Sequence, residues 1–290
     1  MNISLSGKNV LVTGGAGGIG VEIVKSMHSM NANIIISGSN EQKLKSFADK
    51  FNPKVNYFVA NLSKVKEVDN LAENALTKFN NKLDILVNNA GILRDKSFSK
   101  VTDEDFRLVL EVHLMGTVNC TKAVWEIMKE QNYGRILVTS SSSGVYGNFG
   151  QTNYGAAKMG VLGLINTLKL EGAKYNIKCN GLTPVAGTRM TEDLMPPEVI
   201  EKLQPECVSP AVTFMVSEDA PTGVVMAAGA GVFARIITYE TMGMYFGTGE
   251  EMNADSIAAN WEKISDMTDA RPCTEGNSQS MKMFELISKS

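Results

Sequence analysis

A short apolar run at 9–12 passes without a break into Thr13, Gly14, Gly15, Ala16, Gly17, Gly18, Ile19 and Gly20, and few structures can follow a strand that ends in so much glycine. Ile19, Ile23, Val24 and Met27 then recur at helical spacing, and a second apolar run at 33–36 returns at the distance a β-α-β unit requires. Glycines let the backbone approach a ligand closely, and the following helix turns its electropositive amino end to the same point, which is how such a unit holds a pyrophosphate. Gly14, Gly18, Ile19 and Gly20 are the residues expected at that cradle. Alone, a glycine fingerprint is no more than a tight turn; the second strand is what turns the reading toward a nucleotide.

The alternation continues along the chain. Asn40 is expected to cap a helix through 49, residues 55–59 form a third strand, and Asn61, Leu62 and Ser63 turn into another capped helix. Asn61 is placed to touch an adenine ring, or else only shapes the turn. A fourth strand at 84–87 meets Asn88, Asn89, Ala90 and Gly91, small residues at the carboxyl end of a strand, where an α/β sheet opens its ligand crevice. Past a Thr102 cap, one long helix is predicted over 105–131 with His113 near its middle; in an apolar helix a histidine is ordinarily a satisfied core residue. Further strands are expected at 135–139, 177–182 and 224–228, with a helix near 210–217. The loop after Pro184 carries Met190, Met195, Pro196 and Pro197, flexible apolar groups suited to a greasy substrate over a crevice, although methionine more often just fills gaps. The prediction is an α/β fold with a doubly wound parallel sheet of the Rossmann type, a single domain over 1–235, and a mostly helical extension over 236–290.

The chemistry concentrates at 140–158. Serines 140–143 follow an apolar strand, and Tyr154 and Lys158 stand four residues apart, one turn from each other on a helix face. Bringing a phenol from its ordinary pKa near 10 to about 7 takes roughly 4 kcal/mol. One cation about 4 Å away at an effective dielectric near 20 supplies about that much. Lys158 therefore suffices if it touches the phenol, and a positively charged cofactor ring makes up any shortfall. Ser141 is placed to donate to the same substrate oxygen with which Tyr154 exchanges a proton.

Other functions are disfavoured by composition. The 290 residues are 43% hydrophobic and 20% charged, with a net charge of −3, which gives no electrostatic case for nucleic acid or an anionic membrane. No apolar run approaches the ~20 residues of a membrane span. The first eight residues lack the order of a secretory signal, and the end at 288–290 is not a peroxisomal Ser-Lys-Leu, so a cytoplasmic protein is expected. Cys120, Cys179, Cys207 and Cys273 have no metal or redox spacing and read as small buried or half-buried thiols. At the end of the second strand, Ser37, Gly38, Ser39 and Asn40 present no carboxylate to repel a 2′-phosphate and no arginine to clamp one, unless Lys43 or Lys45 swings round; the reading leans to NADP over NAD.

Residues 13–20 and 88–91 with Ser141, Tyr154 and Lys158, in that order, resemble the short-chain dehydrogenase/reductase family over about residues 5–235. The resemblance implies hydride transfer with NAD(P), Tyr154 as acid/base, Ser141 beside it on the substrate oxygen, and Lys158 on the nicotinamide ribose. It implies Ser37, Asn61, Leu62, Asn89 and Gly91 along the cofactor, Thr188 at the carboxamide, and a homodimer or homotetramer. The family usually has asparagine at the position of His113, whose backbone carbonyl helps hold a relay water. Residues 91–95, 112–114, 146–151 and 186–191, and the Asn260–Trp261 pair, look like the (3R)-hydroxyacyl-CoA dehydrogenase part of peroxisomal multifunctional enzymes, which carries histidine there. That subgroup has an aspartate after the second strand and uses NAD, whereas 37–40 is similar to NADPH-dependent bacterial 3-oxoacyl-ACP reductases; nor does a hydratase domain follow. Both implied relatives act on 3-hydroxyacyl or 3-oxoacyl thioesters, on CoA or ACP. Steroid or other alcohol oxidation on the same scaffold, and a non-catalytic nucleotide-binding regulator, are the other readings.

Overall fold

The computed structural model describes residues 3–188 and 196–289. Arg189, Met190, Thr191 and Met195, which figured in the reading above, lie outside the described residues. The chain forms two compact units, 1–235 and 236–290.

The first unit alternates strand and helix: β1 (Asn9–Thr13), α1 (Ile19–Ser29), β2 (Asn33–Gly38), α2 (Glu41–Ala48), β3 (Val55–Val59), α3 (Val65–Lys78), β4 (Ile85–Asn88), α4 (Asp103–Leu110), α5 (Gly116–Glu130), β5 (Gly134–Thr139), α6 (Ser142–Tyr146), α7 (Thr152–Gly172), β6 (Ile177–Pro184), α8 (Pro197–Ile200), α9 (Ser209–Met215), β7 (Val225–Gly229) and β8 (Val232–Ile236). The strands form one sheet in the order β3-β2-β1-β4-β5-β6-β7-β8, parallel from β3 through β7. Order reverses beside β1, so the loops after β1 and β4 part there and open a crevice at the strands' carboxyl ends.

Burial on both faces explains why these strands read as continuous apolar runs. Val10, Val12, Ile34, Ile36, Ile85 and Val87 pack with α1, α2 and α9 on one face. Leu11, Ile35, Leu86, Ile136 and Val138 pack with α3, α5 and α7 on the other. Each fully buried side chain of this size contributes roughly 1.5–3 kcal/mol relative to exposure, so the sheet holds the crevice walls rigid.

Two caps match the sequence: Asn40 Oδ1 accepts from the Lys43 amide at 2.9 Å, and Thr102 Oγ1 from the Asp105 amide at 3.1 Å. The expected cap on α3 differs. Lys64 stands at that position without a side-chain hydrogen bond, and Asn61 Oδ1 instead accepts from the amide and hydroxyl of Ser63 at 3.1 and 2.8 Å. The long helix predicted over 105–131 is interrupted by a π turn, Glu111–Met115, at His113. Beyond β7, a two-residue turn at Ala230 and Gly231, both at positive φ, sends β8 back as an antiparallel edge strand that the sequence reading lacked.

The second unit holds β9 (Tyr239–Glu240), α10 (Ala254–Ala259), α11 (Trp261–Ile264), β10 (Arg271–Pro272) and α12 (Asn277–Ser288). β9 and β10 pair antiparallel, so the extension is a helical segment with a small ribbon rather than helices alone. Its described residues are all exposed or half-buried, and ion pairs from Lys282 to Glu240 and from Arg271 to Glu285, both 2.6 Å, tie α12 to the ribbon.

Candidate active site

The turn after β1, the segment after β4, and the stretch from the end of β5 into α7 line a single crevice of about 610 Å³. Gly14, Gly18 and Ile19 form one end of it; Ser141, Tyr154 and Lys158 stand in its wall, with His113, Asn89, Gly91, Ser37 and Thr188. Gly20 packs under the turn against the Gly14 carbonyl rather than into the cavity. Asn61 and Leu62 are not among the residues lining it, and Leu62 is buried in the core beneath α3, because the Asn61 side chain is turned back onto Ser63.

The glycine turn is shaped by close approach. Gly14 has φ 67°, and a Cβ there would stand 2.8 Å from Ala90 Cα. Thr13 Oγ1 accepts from the amides of Asn89 and Ala90 at 3.0 and 3.1 Å, while the Asn89 amide group donates to the carbonyls of Thr13 and Gly14, each at 3.3 Å. The two loops are thereby locked side by side. α1 begins at Gly18 without a side-chain cap, leaving its amino end to serve an anion.

Ser141 caps α6: its Oγ accepts from the Ser143 amide at 3.1 Å, which leaves the hydroxyl proton free to point into the crevice. α6 and α7 meet at Gly144, where a Cβ would fall 2.8 Å from Lys158 Cβ, so only glycine permits Ser141 and Lys158 to share the wall. Ser140 Oγ donates to the Lys158 carbonyl at 2.6 Å, pinning α7 to the end of β5.

Burial is the largest influence on Tyr154 and holds its phenol above the usual range; the Ser141 hydrogen bond works downward and the Asp95 charge upward. Lys158 was expected to suffice if it touched the phenol, with a cofactor ring making up any shortfall; in the protein alone burial outweighs the downward influences. Lys158 is 4% exposed, and burial lowers its own pKa to about 7. Its Nζ donates to the Thr139 carbonyl at 2.5 Å and lies 5.5 Å from the Tyr154 ring centre. Desolvating the ammonium weakens, near neutral pH, the charge that the phenol was expected to feel.

His113 is buried, and burial together with the nearby Lys158 lowers its pKa to about 3. Its Nε2 faces both the amide and the carbonyl of Ile92, at 3.0 and 2.8 Å, while Nδ1 has no partner among the described residues. Gly91 makes room for this ring, since a Cβ there would collide with it. Thr117 Oγ1 donates to the His113 carbonyl at 2.7 Å.

The polar groups around the start of α7 had no assigned role in the sequence reading. Gln151 Nε2 donates to Asp95 Oδ2 at 2.6 Å, its Oε1 accepts from Ser143 Oγ at 2.7 Å, and Asn153 Nδ2 donates to the Arg94 carbonyl at 3.1 Å. The signals were the resemblance carried by 91–95 and 146–151 and a glutamine and an asparagine placed just before the tyrosine.

The crevice fits a dinucleotide. Gly17 has open space beside it, the amino end of α1 faces the cavity, and the buried hydroxyls of Ser37 and Thr139, both lining it, have no partner among the described residues. A phosphate cradle at one end and proton-handling side chains at the other are the layout of a nicotinamide-dependent oxidoreductase.

Residues 8–198 match the short chain dehydrogenase family model, and the chain belongs to that family, oxidoreductases that work with a nicotinamide cofactor. It is 42% identical over 279 residues to peroxisomal multifunctional enzyme type 2 of Mus musculus, covering 92% of this chain and 38% of that protein. It is 36% identical over 228 residues to a 3-oxoacyl-acyl-carrier-protein reductase of Rickettsia felis, covering 75% of this chain and 92% of the reductase. The structure of full-length peroxisomal multifunctional enzyme type 2 from Drosophila melanogaster superposes with a TM-score of 0.82 at 30% identity, over 99% of this chain and 50% of that one. The chain thus spans well under two thirds of the mouse enzyme and half of the chain in the fly structure. Among the described residues, no helix is long and apolar enough to cross a membrane.

Proposed function

We propose that this chain interconverts (3R)-3-hydroxyacyl and 3-oxoacyl thioesters with NAD(P), in fatty-acid metabolism. One observation carries the reading: Ser141, Tyr154 and Lys158 share one wall of the crevice whose far end is the glycine cradle. The Rickettsia felis relative is, by name, a reductase of 3-oxoacyl chains on acyl-carrier protein, which supports a thioester substrate.

A bound nicotinamide supplies or accepts the hydride at C3. Tyr154 holds the proton that passes to or from the C3 oxygen, and Ser141 donates to that oxygen so that it stays aligned. Lys158 would hold a ribose hydroxyl of the cofactor, and the cation would then act beside the phenol. Gly14, Gly18 and Ile19 cradle the diphosphate, Asn89, Gly91 and Thr188 bound the ring end, and His113 packs on Tyr154. Asn61 and Leu62 are left to shape the turn.

NADP is favoured over NAD. Ser37, Ser39, Asn40 and Lys43 line the adenosine end, and no carboxylate occurs among the described residues lining the cavity. Lys45 is taken up by Asp49 at 2.8 Å, so Lys43 is the cation for a 2′-phosphate. The test is to offer acetoacetyl-CoA and an ACP-bound 3-oxoacyl substrate with NADH and NADPH in turn. Turnover of a thioester, faster with NADPH, is expected; no oxidation of either cofactor by either substrate would return the chain to the alcohol-dehydrogenase or regulator readings. Size measurement in solution checks the proposed dimer or tetramer.

A further inference from the structure

Tyr154 stands in the fourth position from Gln151, the residue that opens α7, and the Gly155 amide donates back to the Gln151 carbonyl at 2.7 Å. Wherever Gln151 is held, the first turn of α7 and its tyrosine are held too. Three hydrogen bonds fasten this turn to the segment after β4: the Lys96 amide to the Gly150 carbonyl at 2.9 Å, Asn153 Nδ2 to the Arg94 carbonyl, and Gln151 Nε2 to the Asp95 carboxylate. Only the last brings a charge.

We propose that Asp95 is a positioning residue for Tyr154, tying down the amino end of α7 through Gln151 and placing a negative charge beside that turn. The proposal rests on the reading of Tyr154 given above.

The groups around the tyrosine leave Asp95 as the anion in play. From the π turn, His113 meets the ring edge-on but is held neutral. Lys158, on the same helix, is partly discharged by burial. Ser141, from the start of α6, contributes a neutral hydrogen bond. Arg94 and Lys96 flank Asp95, yet both are drawn to Asp105, at 3.5 and 2.9 Å. Asp95 keeps the Gln151 amide as its hydrogen-bond partner, and a negative charge near a phenol opposes its ionisation. The same carboxylate orients the Gln151 amide, whose Oε1 also accepts from Asn148 in the crevice wall at 3.1 Å.

Asp95→Asn removes the charge while keeping an oxygen for Gln151. Tyrosinate absorbance is titrated in the wild type and in this variant, each corrected with its Tyr154→Phe counterpart so that residue 154 alone is read. The midpoint should fall by on the order of half a unit to one unit at low salt, and the difference should shrink at high salt because Asp95 is exposed. Coincident midpoints, or a rise, would overturn the assignment; Asp95→Ser gives the same reading if the asparagine variant does not fold. Gln151→Leu cuts the tie and leaves the carboxylate, so kcat should drop at least tenfold with cofactor affinity kept; unchanged kcat overturns the positioning role. Because the titration needs no substrate, a chain that turned over no acyl thioester would sink the functional reading and leave this one standing or falling on its own.

Discussion

The imidazole of His113 meets the ring of Tyr154 edge-on, with centres 5.1 Å apart and planes at 90°. The histidine is thus part of the wall that fixes the phenol, and it must be neutral to occupy that place. Its pKa of about 3 lies below the ordinary 6.5, so between those values the unfolded chain binds the extra proton. Stability is complete above about pH 6.5 and falls as pH drops toward 3, by up to roughly 4 kcal/mol. His113→Asn should flatten this acid limb in urea unfolding from pH 7 to 4. An unchanged slope would mean that the buried imidazole does not carry the acid sensitivity.

Lys158 works in the opposite pH range. Folding lowers its pKa to about 7, so between 7 and the ordinary 10.5 the unfolded chain holds the additional proton and stability rises with pH. Below about 7 the buried charge costs the fold roughly 3–5 kcal/mol. Lys158→Met should melt higher than the wild type at pH 6, with the gap closing by pH 10, while losing turnover. A gap independent of pH would contradict the burial argument.

Under the NADP reading proposed above, the end of β2 is where the cofactor would be selected. Ser39 is exposed and lines the crevice, and on the proposed reading an aspartate there would repel a 2′-phosphate. Ser39→Asp should reduce kcat/KM with NADPH at least tenfold more than with NADH, a difference of about 1.4 kcal/mol or more. Equal losses with both would place the phosphate elsewhere.

Much of this molecule could be read directly from residue order. The strand, glycine turn and helix at 9–29 constrain one another locally, and Tyr154 and Lys158 need only helical geometry to share a face. What escaped depended on contacts between distant segments. The break in the helix at His113 arises where the ring turns onto Ile92 and Tyr154, and nothing in the helical periodicity of 105–131 marks it. The hairpin to β8 turns on Ala230 at φ 49°, a conformation alanine rarely adopts and for which asparagine or glycine is the usual signal. Asn61 looked like a ligand group because its local hydrogen bond to Ser63 cannot be told from sequence. The lowered pKa of Lys158 was not legible either, because charge arithmetic between two residues omits the cost of burying one of them.

The account turns on the proton held by Tyr154, and Tyr154→Phe tests it with one atom removed. Steady-state turnover of a 3-oxoacyl thioester is to be measured alongside cofactor binding by fluorescence. The account requires cofactor affinity within a few-fold of the wild type and kcat lowered by ~10² to 10⁴ or more. Near-normal kcat in that variant would contradict it.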